Sequence, residues 1–161
     1  MNIEQVFARM IEYYSHDPKQ IHHFLKVHSF AMRIGIAENL DERTLSILEI
    51  AAIVHDIGIK AAREKYGSGA GNYQEELGPA IAKAMLEDLY PQDIVDRVCY
   101  LVSRHHTYTD IDGMDYQILL EADFLVNIYE GNMSHDATRS VLEKVFKTNT
   151  GKWLCTTMYQ V

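Results

Sequence analysis

The sequence is poor in several things at once. It has two cysteines in 161 residues, Cys99 and Cys155, spaced neither as a zinc pair nor as a redox C-x-x-C. In a reducing compartment they read as buried thiols. Three prolines and nine glycines exclude collagen-like and low-complexity chains. Basic residues are outnumbered, 15 against 23 acidic, for a net charge of −8. That excludes binding of a nucleic-acid polymer by clustered lysine and arginine. No apolar run is longer than that from Ile50 to Val54, far below the roughly 18–20 residues of a membrane span. Near the N-terminus Glu4 and Arg9 lie within an amphipathic pattern rather than ahead of a continuous apolar stretch. No signal peptide and no membrane association are expected, and the chain reads as cytosolic. Strand-like alternation is missing too.

What remains is helical periodicity, in a length suited to one domain spanning 1–161. Ile3, Phe7, Met10, Ile11 and Tyr14 share a face, with Asn2 and Gln5 spaced as a capping pair. Asp17-Pro18 supplies an N-cap and a first-turn proline. Ile21, Leu25, His28, Met32 and Ile36 then form a stripe that turns His28 inward. Asp41 caps a third helix whose buried side carries Leu45, Leu48, Ala52, His55 and Asp56. From Gly58 to Tyr73 the pattern fails, and Gly67, Gly69 and Gly71 predict a mobile loop, a candidate lid, with at most one turn around Ala61 to Lys65. Helical spacing resumes through Ile81, Met85 and Leu89, and again through Ile94, Val98, Leu101, Val102 and His105. Tyr116, Leu119, Leu120, Asp123, Val126 and Asn127 define a further inner face. Ser134 caps a last long helix through Val145 and Phe146, ended by Gly151 and followed by a short tail. The expected fold is all-α, an irregular or orthogonal helical bundle.

His28, His55, Asp56, His105 and Asp123 each carry a burial penalty that an apolar residue avoids. A lone inward histidine is more often a hydrogen-bonded core residue than a ligand. The set is different, because three histidines and two aspartates from separate helices can converge on one or two divalent ions. The dipeptide His-Asp is weak evidence alone and occurs three times. Asp17 and Asp136 read as helix-start acids, and only His55-Asp56 follows an apolar helix.

In order, His28, His55-Asp56 within AAIVHDIGIK, His105-His106, and Asp123 within LLEADFLVN resemble the HD superfamily of metal-dependent phosphohydrolases, most of all its small single-domain bacterial members. The likeness covers about residues 20–130. It implies that His28, His55, Asp56 and Asp123 hold a first metal. His105 and His106 would serve a second, with Asp56 bridging. Two-metal members carry a further histidine where this chain has Gln74, so Glu75 or Glu76 is the candidate replacement donor. A lysine that often follows the motif is displaced here to Lys60.

A mixed histidine and aspartate set suits Fe, Mn, Co, Ni or Zn, one or two per chain, better than Mg. Such ions activate water near neutral pH and neutralise phosphoryl charge, so metal-bound hydroxide needs no protein nucleophile. An anionic substrate needs local positive charge, for which Lys60, Arg63, Lys65 and Arg104 are candidates. Lys60 and Arg104 stand beside proposed ligands and are taken, with Asp56, as the catalytic group. The resulting expectation is hydrolysis of a small phosphorylated metabolite, a nucleotide phosphomonoester first. Phosphodiester or pyrophosphate cleavage by two metals and a non-catalytic metal- or nucleotide-binding module are the alternatives. Tyr13, Tyr108 and Trp153 either close the core or form a homodimer interface.

Overall fold

The computed structural model describes residues 3–161, so the Asn2 half of the expected capping pair lies outside the described residues. Among the described residues nine helices follow one another: α1 (Ile3–Tyr13), α2 (Pro18–Ala37), α3 (Glu42–Val54), α4 (Ile59–Tyr66), α5 (Gly71–Leu86), α6 (Gln92–Val102), α7 (Met114–Glu130), α8 (His135–Lys144) and α9 (Asn149–Tyr159). The all-α expectation holds. Among the described residues no helix is long and apolar enough to cross a membrane.

The helix starts follow local chemistry. Asp17 accepts from the Gln20 amide at 3.1 Å with Pro18 in the first turn. Asp41 does the same for Thr44 at 2.9 Å, and Ser134 for Ala137 at 3.1 Å. Each side chain satisfies an amide that helix geometry leaves unpaired. The centre is α3, whose run Ile50 to Val54 is buried throughout. It packs against α2, α6 and α7, while α5 packs on α4 and α6. Every wall of the core thus converges near the C-terminal end of α3.

Three expectations are corrected. The stretch from Gly58 to Tyr73 is mostly helix. Its glycines punctuate rather than loosen it: Gly67 ends α4 at φ 70°, a conformation other residues adopt only with strain. Only residues 67–70 join α4 to α5, so there is no long lid. The expected final helix is two, α8 and α9, with Thr148 capping the second by accepting from the Gly151 amide at 2.9 Å. Gly151 therefore opens a helix instead of ending one. In α2 the buried face is His23, Phe24, Val27, Ala31, Ile34 and Gly35, while Leu25 and Ile36 of the expected stripe are exposed. Gly35 explains the choice: a Cβ there would lie 2.7 Å from Leu45, so this face makes the close approach to α3.

Candidate metal centre

The His55-Asp56-Ile57-Gly58 turn leads from α3 to α4. Two backbone bonds hold it, Ile57 N to Val54 O and Ile59 N to Asp56 O, both 3.0 Å. The buried Tyr14 hydroxyl braces it by donating to Asp56 O at 3.1 Å and accepting from Lys60 N at 3.2 Å. Asp56 is consequently fixed at the meeting point of α2, α3, α6 and α7.

Around one carboxylate oxygen, Asp56 Oδ2, lie His23 Nε2 at 3.0 Å and His55 Nε2 at 3.4 Å. The same two nitrogens lie 3.2 and 3.4 Å from Asp123 Oδ1 and 3.3 Å from each other. All four residues are buried. The far sides of the rings are anchored: His55 Nδ1 donates to Ala52 O at 2.8 Å, and His23 Nδ1 donates to Glu130 Oε1 at 2.6 Å. A carbonyl or carboxylate can only accept, so each Nδ1 carries a proton and it is Nε2 that faces inward, free to act as a ligand once its own proton is displaced. Carboxylate or carbonyl partners of this kind orient metal-binding imidazoles.

Around the other oxygen, Asp56 Oδ1, a second group assembles. His105 Nε2 lies at 3.0 Å, and its Nδ1 donates to Val102 O at 2.7 Å. Gln74 Oε1 is 3.1 Å from His105 Nε2 and 3.0 Å from His106 Nε2. Asp56 thus divides its two oxygens between two sets of nitrogen donors.

The electrostatics of the metal-free protein follow from this crowding. Burial opposes the His23 imidazolium, yet hydrogen bonds and charge from Asp123 and Asp56 prevail and push it up to about 11. His55 is likewise raised, to about 10, by Asp56 and Asp123 against complete burial. Burial works against the Asp56 anion too, but the charge of His55 and hydrogen bonds from His105, His23 and His55 hold it well below the usual carboxylate range. Asp123 is lowered in the same way, with His23 and His55 overcoming burial. His106 is lowered by burial and by the charge of His105. Without metal, protons must occupy a space lined by converging acceptors.

The expected site residues separate cleanly. His55, Asp56 and Asp123 come together, as do Asp56, His105 and His106. His28 is a correction: its ring stands edge-on to Phe7 at 4.9 Å, its Nε2 lies 3.5 Å from Glu49, and His23 takes the expected place. Glu75 is also elsewhere, accepting from Thr107 Oγ1 at 2.9 Å and His106 N at 3.3 Å. Glu76 is occupied by the Tyr66 hydroxyl at 2.7 Å. Lys60 Nζ reaches Tyr13 O at 3.3 Å and covers its ring, while Arg104 lies over Tyr100 and Tyr116. Neither cation enters the clusters. Residues absent from the expectation are His23, Gln74, and Gln20, whose Nε2 lies 3.5 Å from Asp56 Oδ2. Tyr108, expected at an interface or closing the core, is half-exposed against Phe124. Its hydroxyl is pushed up to about 12 by burial and the charge of Asp123.

The first donor set fits a divalent transition metal on one observation in particular. Asp123 Oδ1 is buried without a well-directed hydrogen bond, although two imidazole nitrogens stand within 3.4 Å. A cation placed among these atoms satisfies the oxygen and both lone pairs together. The family model for the HD domain matches residues 21–144, and the chain belongs to this family of HD-domain proteins. A comparison with curated proteins finds no match. Among solved structures, the crystal structure of a predicted HD superfamily hydrolase from an uncultured Thermotogales bacterium, at 1.45 Å resolution, is similar in fold. The TM-score is 0.72 over 99% of this chain and 86% of that one, at 23% identity.

Proposed function

We propose that this chain, acting as a single HD domain in the cytosol, is a metal-dependent phosphohydrolase for a small phosphorylated metabolite, with a nucleotide phosphomonoester as the first candidate. The observation that carries the reading is the division of Asp56 between two groups of imidazoles, three of them, His23, His55 and His105, anchored by their outer nitrogens. The similarity to a protein described as a predicted hydrolase supports it. His23, His55, Asp56 and Asp123 would hold a divalent ion, and His105 and His106 with Asp56 a second. When bound, such an ion lowers the pKa of water and neutralises charge on a phosphoryl oxygen.

The chain's own residues supply position and exclusion. Glu130, Ala52 and Val102 hold the rings of His23, His55 and His105 by their outer nitrogens, so the donors need no reorientation during turnover. Positive charge for an anionic substrate stands beside the clusters. Lys60 and Arg63 line a cavity of about 240 Å³ with Tyr13, Tyr14, His16 and Asp17. Tyr14, whose hydroxyl braces Asp56, is part of that lining. We assign Lys60 and Arg63 to the substrate's outer charge, and Arg104 to ordering the segment around Thr109, whose carbonyl it meets at 3.3 Å.

Phosphodiester or pyrophosphate cleavage is the second reading, favoured by the two donor groups that share Asp56. The test is phosphate release by chain reconstituted with Mn, Fe, Co, Ni or Zn, assayed on nucleoside monophosphates, dinucleotides and nucleoside diphosphates in parallel. Turnover of monophosphates that is abolished by chelation supports the first reading. Turnover confined to diesters or anhydrides selects the second. Tight nucleotide binding with no turnover under any loaded metal overturns the hydrolase and leaves a binding module.

A further inference from the structure

The second donor group contains an oxygen that is not a carboxylate. Gln74 lies in the first turns of α5 and is 6% exposed. Its amide orientation is determined, because Nε2 donates to Gly69 O at 2.6 Å and only an N–H can face a carbonyl. Oε1 therefore points the other way, to within 3.1 and 3.0 Å of the His105 and His106 Nε2 atoms. His105 is held by its Nδ1 donating to Val102 O, so its Nε2 faces two oxygens, Asp56 Oδ1 and Gln74 Oε1. With His106 Nε2, two imidazole nitrogens, a carboxylate oxygen and an amide oxygen meet there, a mixed donor set that suits a divalent cation. The frame is tight as well: a Cβ on Gly71 would lie 2.7 Å from the His106 ring, so the start of α5 is pressed onto that imidazole.

Resting on the reading of the clusters as a metal centre, we propose that Gln74 is a direct donor of the second cluster through its amide oxygen, which makes that position weaker than the first and more tolerant of hard ions. The two positions then load in sequence. The charge balance supports this order. The first group has two carboxylates, Asp56 and Asp123, whereas the second has only the shared Asp56, since Glu75 is turned to Thr107 and His106 N. A neutral amide contributes less attraction than a carboxylate, and an oxygen in place of an imidazole moves preference from Zn and Ni towards Mn and Mg.

The experiment is equilibrium dialysis of chelator-stripped full-length chain against Mn²⁺ and Zn²⁺, with elemental analysis, for wild type, Gln74→His and Gln74→Leu. Wild type is expected to take up a first equivalent and then a second about tenfold or more weaker, the scale at which even a ligand's outer partners count. Gln74→His should tighten the second equivalent about tenfold, more for Zn²⁺ than for Mn²⁺. Gln74→Leu should lose it while keeping the first, which also reports an intact fold. A second equivalent in Gln74→Leu with wild-type affinity overturns the assignment. So does loading of two equal equivalents by wild type, a result that needs no variant. Failure of wild type to bind even the first equivalent overturns the metal-centre reading instead.

Discussion

His23 and His28 are both on α2, and their surroundings set opposite outcomes for their loss. His23 has one nitrogen on Glu130 and the other among Asp56, Asp123 and His55, so removing it deletes a donor and leaves two carboxylates less balanced. His23→Ala should lower affinity for the first metal equivalent by about 100-fold, the upper end of what loss of an outer partner alone produces. His28 contributes an edge contact to Phe7. His28→Ala should keep wild-type metal content and lose about 1 kcal/mol of stability, typical of an aromatic pair. Elemental analysis and thermal unfolding of the two variants check this. Metal loss in His28→Ala with retention in His23→Ala would reverse the assignment.

Between elements, the decisive contact is the turn after α3 against α5. A Cβ at Gly58 would fall 2.8 Å from Gln74 O and 2.9 Å from Gly78 N, backbone atoms that cannot swing aside. Gly58→Ala should therefore push α5 outward and cost about 1–3 kcal/mol, as overpacking does. Urea unfolding measures it, and a loss below about 0.5 kcal/mol would contradict the close packing described. The same level of organisation explains what was legible in the sequence. Caps at Asp17, Asp41 and Ser134 are local chemistry, and α3, α6 and α7 have apolar faces wide enough to be unambiguous. His55 and Asp56 follow directly on α3, His105 follows α6 and Asp123 lies in α7, so most of the site could be read. In α2, two stripes share the same helical spacing, and only the tertiary approach of Gly35 to Leu45 selects the one beside His23. In α4 and α5, glycines needed for a left-handed cap and for contact with His106 look like loop composition. Gln74 carries no ligand signal of its own until the bond to Gly69 orients it.

At the scale of the whole molecule, the buried charges couple the centre to stability. In metal-stripped protein His23 and His55 are raised, to about 11 and about 10. Their contribution is complete below the ordinary imidazole value of 6.5 and declines as pH rises towards those values. Asp56 and Asp123 are depressed, so their contribution is complete above the ordinary value of 3.8 and is lost on acidification. Stripped protein should thus be most stable on the mildly acidic side and weaken above about pH 6.5. A bound ion replaces those protons and binds better as pH rises. The difference in Tm between Mn-loaded and stripped protein should widen from pH 6 to pH 9, and a constant difference would contradict the coupling. The central claim is that Asp56 joins two donor groups into one metal centre. Its most direct test is elemental analysis of native wild type and Asp56→Asn, purified side by side without chelator or polyhistidine tag. The account predicts at least one equivalent of transition metal per wild-type chain, with most of it lost from a folded Asp56→Asn. Equal metal content in the two proteins would contradict it.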